Sequence, residues 1–161
     1  MTKADLYSLF KSRGIPYEAM EHPAVHTMAE VDALSLPHPE WDARNLFLRD
    51  DKKRNFCLLT VREKTQVNLT AFRHDCGLRP LSFASAEELM MLMHLEPGAV
   101  TPLGLLNDEE HRVRFFLEDS FRGEKIALHP NENTATVWMN ADDLMALVRS
   151  FGTEAAYVTI G

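Results

Sequence analysis

Asn45-Leu-Phe-Leu-Arg49 and Phe56-Cys-Leu-Leu-Thr-Val61 are two apolar runs joined by the polar stretch Asp50-Asp-Lys-Lys-Arg-Asn55. Runs of this length and composition around a charged turn predict a β-hairpin. Neither run alternates apolar with polar residues. A strand that is apolar on consecutive residues is buried on both faces. The hairpin therefore belongs inside a sheet covered on both sides, and strands and helices mixed along the chain without strict βαβ alternation favour α+β (mixed α/β) with a mixed, largely antiparallel sheet.

Outward toward the N-terminus, Pro37 and Pro39 hold 36–39 as a loop. Thr27 caps a helix over 29–34, and His22-Pro23 ends a short strand at 17–21. Thr2 caps a first helix that carries Leu6, Leu9 and Phe10 on one face and is stopped by Gly14 and Pro16. Outward toward the C-terminus, 67–76 predicts a helix with Leu69, Phe72 and Cys76 inward, and 81–83 a strand. Ser85-Ala-Glu-Glu88 is a capping box opening a helix with Leu89, Leu92 and Met93 inward. Met90 and Met91 share that helical spacing and read as core. The stretch 96–107 starts with Glu-Pro-Gly and predicts a loop feeding a short strand. Strands follow at 113–117, 126–129 and 134–138. Asn140 caps a helix with Leu144, Leu147, Val148 and Phe151 inward, Gly152 stops it, and 157–160 closes as a strand. No repeat or linker interrupts the pattern, so 1–161 reads as a single domain.

The 161 residues are 45% hydrophobic and 25% charged, a globular balance. Net charge is −7, which argues against holding nucleic acid by bulk charge. The charge is uneven: residues 44–79 carry +5 and the remainder −12. The basic turn at Lys52, Lys53 and Arg54 is either a polyanion contact or a solvated turn that keeps a strand edge soluble. The two cysteines, Cys57 and Cys76, exclude a disulfide framework and read as inert buried thiols. No apolar run reaches the roughly 18 residues of a spanning helix, and the start has no apolar signal region. A cytoplasmic protein without membrane contact is expected.

Nucleotide-loop, nucleophile-elbow and zinc-protease signatures are missing. His22 and His26 have a metal-like spacing, but Pro23 breaks the shared face, so neither a metal nor a cofactor is expected. His74, His94 and His111 read as surface or half-buried histidines. Two stretches suggest chemistry. Gly98-Ala-Val-Thr-Pro102 exposes backbone N–H groups and lets a ligand approach the main chain. His129-Pro-Asn-Glu-Asn-Thr134 puts a histidine at the end of a strand, where catalytic residues often sit.

Several segments in this order carry a resemblance. They are Gly14-Ile-Pro-Tyr17, His22-Pro-Ala-Val25, Arg44-Asn-Leu-Phe-Leu-Arg-Asp50, Leu81-Ser-Phe-Ala-Ser85, Glu96-Pro-Gly-Ala-Val-Thr-Pro-Leu-Gly-Leu-Leu-Asn-Asp108 and His129-Pro-Asn-Glu-Asn-Thr-Ala-Thr136. Together they resemble the YbaK/prolyl-tRNA-synthetase-associated (INS-like) editing domains. The free-standing ProX/PrdX-type deacylases of alanyl-tRNA(Pro) are the most similar of these. The resemblance implies a partly barrel-like sheet wrapped by helices and hydrolysis of the ester on mischarged tRNA. It implies that Gly98, Ala99, Val100 and Thr101 surround the aminoacyl ester, that His129 borders it, and that Arg44 stands where most members have lysine. Met28, Asn45, Pro102 and Asn133 are then expected to bind substrate, with Lys52, Lys53 and Arg54 against the tRNA. The implied partners are the acceptor end of a mischarged tRNA and, transiently, prolyl-tRNA synthetase; the oligomeric state stays open. Deacylation of cysteinyl-, seryl- or threonyl-tRNA, a metal-dependent hydrolase, and a non-catalytic tRNA-binding module remain alternatives.

Overall fold

The computed structural model describes residues 1–25 and 27–160, the side chains of Met28 and Val31 apart. In chain order the elements are α1 (Lys3–Ser12), β1 (Tyr17–Glu21), α2 (Met28–Leu34), β2 (Ala43–Asp50), β3 (Phe56–Arg62), α3 (Leu69–Asp75), β4 (Leu81–Phe83), α4 (Ala86–Met93), β5 (Val113–Glu118), β6 (Lys125–Leu128), β7 (Ala135–Asn140), α5 (Ala141–Ser150) and β8 (Ala155–Val158). Single 3-10 segments span Pro39–Trp41, Pro102–Asn107 and Asp119–Phe121.

The β2–β3 hairpin is the spine. It pairs antiparallel with Asn45 opposite Thr60, and sits inside a five-stranded sheet of order β4-β2-β3-β5-β8. β4 pairs antiparallel with β2, whereas β3–β5 and β5–β8 are parallel. A second, antiparallel sheet has the order β1-β7-β6. Among the described residues the two sheets do not close into a barrel.

The consecutive apolar residues of the hairpin are explained by its two faces. Phe47, Phe56 and Leu58 pack with Leu6 and Phe10 of α1, Leu89, Leu92 and Met93 of α4, and Leu144, Leu147 and Val148 of α5. Their neighbours Leu48, Cys57, Leu59 and Val61 pack with Phe72 of α3 and Phe116 of β5 on the other side. Each such buried side chain contributes about 1.5–3 kcal/mol. Burial pushes the Cys57 thiol up to about 12, so it is inert, and raises the Cys76 thiol as well.

Four local expectations are corrected. The run after Pro102 is a 3-10 segment rather than a strand; Thr101 Oγ1 accepts from Leu103 N at 3.3 Å, and Leu103, Leu105 and Leu106 are buried. Met90 and Met91 are 46% and 59% exposed, because α4 is short and turns only Leu89, Leu92 and Met93 inward. Asn140 stands at the cap of α5 but its amide donates to Asp143 Oδ2 and caps no backbone N–H. The last strand begins at Ala155, right after the turn at Gly152 (φ +97°), and pairs there with β5. No helix among the described residues is long and apolar enough to cross a membrane.

Candidate active site

The start of β2, the end of β6, the start of β7 and the loop after α4 converge on a cleft of about 570 Å³. Apolar wall comes from Val25, Leu36, Val100 and Leu128, and polar groups from His22, Asp42, Asn45 and His129.

Asn45 ties this site together. Successive strand residues face opposite ways, so Asn45 shares the side of Phe47 and looks into the cleft. Its Nδ2 donates to the Val100 carbonyl at 3.1 Å. Its Oδ1 accepts from Thr60 Oγ1, its cross-strand partner, at 2.6 Å. One side chain thus pins the 98–102 loop to the sheet. Gly98 turns that loop with φ +93°, a left-handed value that costs any residue with a Cβ. Gly98 and Val100 line the cleft. Ala99 and Thr101 are buried behind it, and Ala99 N donates to Glu96 O at 3.0 Å. The N–H groups of Gly98 and Val100 have no partner among the described residues, and a ligand oxygen can accept from them.

His129 follows β6 directly. Its Nδ1 lies 3.2 Å from the Ala135 carbonyl. A carbonyl oxygen only accepts, so Nδ1 carries the proton and Nε2 keeps its lone pair. Desolvation by burial, with the nearby His22 adding to it, lowers the imidazole pKa below its ordinary value. The ring is therefore neutral at pH 7 and able to accept a proton. His22 shares the cleft, with Nε2 2.9 Å from Thr136 Oγ1 and Nδ1 2.8 Å from the Pro23 carbonyl. Asn133 stays outside the cleft lining but braces it, donating to the Val25 carbonyl at 2.8 Å.

Arg44 faces away from Asn45 and reaches the cleft at its rim. It is exposed, and Nη2 donates to the Thr65 carbonyl at 2.7 Å. The other guanidinium N–H groups remain available for an anion. Pro102 is buried at the start of its 3-10 segment. Met28 opens α2, and its side chain lies outside the described residues, as does His26. Lys52, Lys53 and Arg54 are exposed in the turn at the far end of the hairpin. At about 3.3 Å per strand residue, that turn is roughly 23 Å from Asn45.

Asp42 was not singled out in the sequence. It is half-buried at the edge of the cleft, and burial followed by the charges of Glu63, Asp32 and Glu40 pushes its carboxyl up to about 6. Only the hairpin register brings Glu63 beside it: Glu63 N donates to the Asp42 carbonyl at 3.1 Å. Among the described residues no group of three or more His, Cys, Asp or Glu is placed to hold a metal ion.

A family model for the aminoacyl-tRNA editing domain matches residues 22–147. The chain is 34% identical over 139 residues to the prolyl-tRNA editing protein ProX of Acetoanaerobium sticklandii, covering 86% of this chain and 85% of that one. It is 33% identical over 159 residues to the prolyl-tRNA synthetase associated domain-containing protein 1 of Mus musculus, covering 93% and 91%. It superposes on the solved structure of a candidate trans-editing enzyme for prolyl-tRNA synthetase with a TM-score of 0.72 at 20% identity, over 99% of this chain and 97% of that one. That last likeness is one of fold.

Proposed function

Because the chain belongs to the aminoacyl-tRNA editing domain family, we propose that its cleft takes the acceptor end of tRNA(Pro) mischarged with alanine. The protein is a trans-editing deacylase that hydrolyses the ester bond of mischarged tRNA. Its substrate is a tRNA, and its relatives are linked by name to prolyl-tRNA editing and to prolyl-tRNA synthetase. A transient contact with that synthetase and a cytoplasmic location complete the reading.

The observation that supports this best is the Asn45 bridge. It holds the 98–102 loop against the sheet within the cleft that His129 also lines. An aminoacyl ester next to a ribose hydroxyl is already activated. Its hydrolysis needs a placed water, donors for the developing oxyanion and a fixed acyl group. The Gly98 and Val100 N–H groups supply the donors. Water attacks the carbonyl carbon; its proton passes to His129 Nε2, or to the neighbouring ribose hydroxyl as that hydroxyl hands its own proton to the leaving ribose oxygen. The ribose oxygen leaves and is protonated from the same side. Arg44 at the rim grips the terminal phosphate. Ala99, Thr101 and Pro102 hold the loop's shape from behind. Val100 and Leu128 bound the side-chain pocket. The pocket admits the alanine methyl more readily than larger groups, a sieve that synthetase pockets cannot supply by binding alone.

The test is deacylation of alanyl-tRNA(Pro) beside prolyl-, cysteinyl-, seryl- and threonyl-tRNA. Alanyl-tRNA(Pro) is expected to be hydrolysed fastest and prolyl-tRNA(Pro) to be spared. A rate no higher than buffer on every mischarged tRNA overturns the reading. Arg44→Lys is expected to keep the rate and Arg44→Ala to lose most of it.

A further inference from the structure

The cleft is electrically mixed. Its lining carries Asp42 and Glu63, which also border an adjoining depression with Asp32, Glu40, Arg62 and Lys64. The same lining carries His22, His129, Gly98 and Val100, with Arg44 at the rim. Asp42 is the odd member of this set. Its carboxylate is half-buried, yet it accepts no hydrogen bond and meets no cation among the described residues. Glu63, Asp32 and Glu40 face it with like charge. A carboxylate in that setting is held at a cost unless something cationic joins it.

The substrate of a deacylase brings one cation and several anions. The anions are the phosphates, for which Arg44 at the rim offers its free guanidinium N–H groups. The cation is the α-ammonium group, bonded to the carbon next to the ester carbonyl. We propose that the Asp42 carboxylate receives the α-ammonium group of the aminoacyl ester, with Glu63 behind it, and thereby fixes which way the acyl group lies in the cleft. The proposal rests on the deacylase reading above. With the ammonium on Asp42 and the ester carbonyl toward the Gly98 and Val100 N–H groups, the alanine methyl is left to face the apolar wall. Asp42 is thus a specificity-determining residue, selecting α-amino esters.

The discriminating probe is an isostere without the cation. Lactyl-tRNA(Pro), made from alanyl-tRNA(Pro) by nitrous acid, replaces the ammonium by a hydroxyl of similar size. Each rate is divided by the spontaneous hydrolysis of its own ester. The wild-type protein is expected to favour alanyl over lactyl by about tenfold or more in kcat/KM, the worth of a hydrogen bond to a charged group. Asp42→Asn is expected to raise KM for alanyl-tRNA(Pro) about tenfold, leave lactyl-tRNA(Pro) hydrolysis unchanged, and erase the preference. Asp42→Glu, which keeps the charge, is expected to restore part of it. Glu63→Gln is expected to give a smaller loss of the same kind. A wild-type protein without the preference, or an Asp42→Asn protein that keeps it, overturns the proposal while the deacylase reading stands. Wild-type failure on both esters overturns the deacylase reading and the proposal with it, and is recognised by the missing alanyl-tRNA rate.

Discussion

The two ends of the β2–β3 hairpin use polar side chains in opposite ways. At the turn end, Asp50 is 3% exposed and spends its carboxylate on the chain itself. Oδ1 accepts from Lys52 N at 3.1 Å and Arg54 N at 3.0 Å, and Oδ2 from Asn55 Nδ2 at 2.7 Å. Burial alone would raise this carboxyl; the hydrogen bonds from Arg54, Asn55 and Lys52 outweigh it and hold it below the usual carboxylate range. At the cleft end, Asn45 also braces backbone, but its neighbours are left unspent: the His129 Nε2 lone pair, the Asp42 carboxylate, and the N–H groups of Gly98 and Val100. Satisfied polar groups build shape, and unsatisfied ones beside a cleft are what a substrate can use.

If that contrast holds, Asp50→Ala damages stability and not chemistry. It is expected to lower unfolding free energy by about 3 kcal/mol in denaturant titrations, with kcat unchanged in the folded fraction. Since the Asp50 carboxyl is depressed in the folded state, its contribution is present above the unfolded carboxylate range and is lost as pH falls through its lower folded value. A fall in kcat as large as the fall in stability would break the comparison. Asn45→Ala should do the reverse, lowering kcat/KM on alanyl-tRNA(Pro) about 30-fold, or roughly 2 kcal/mol, with a smaller effect on unfolding. Thr60→Val, which strips only the brace on Asn45, should fall between the wild-type protein and that variant.

The pH profile sharpens the contrast further. Protonation of Asp42 near pH 6 and of His129 below the ordinary imidazole value both remove activity on the acid side, so kcat/KM should fall as pH drops through that region. His129→Asn should remove the histidine part of this limb and lower the plateau about tenfold. For stability the Asp42 sign is opposite to that of Asp50. A carboxyl raised in the folded state makes the fold less stable as pH rises through its value. Asp42→Asn should therefore stabilise the protein at pH 7, by about 1 kcal/mol at most after solvent screening. The smallest expected effect belongs to the turn's side chains. Reversing Lys52, Lys53 and Arg54 to Glu together should move stability by less than about 0.5 kcal/mol. It should weaken tRNA binding only a few-fold, most at low salt; unchanged affinity would make them a solvated turn.

Much of this layout is legible in the sequence. The hairpin, the strand at Tyr17–Glu21, the Ser85–Glu88 capping box and the Gly152 stop follow from local rules, since patterning and caps act over a few residues. The segment after Pro102 is ambiguous in sequence, because a short buried apolar run looks alike as strand or helix. The site was legible in part. Gly98, Val100, Asn45 and His129 lie in marked motifs, and the cleft lining includes all of them. Asp42 was not, because nothing local distinguishes it from a surface aspartate; only the antiparallel register sets it beside Glu63.

The bonds around the cleft also span long stretches of chain. His22 and Thr136 are 114 residues apart, Val25 and Asn133 108, and Asn45 and Val100 55. Such closures carry a large loop entropy and form late in folding, after the local hairpin. A chain emerging from the ribosome therefore has a hairpin long before it has a cleft. It cannot strip any tRNA until the segment through Thr136 has emerged. In hydrogen exchange the His22–Val25 segment should open before the β2–β3 strands, so that activity vanishes ahead of the fold.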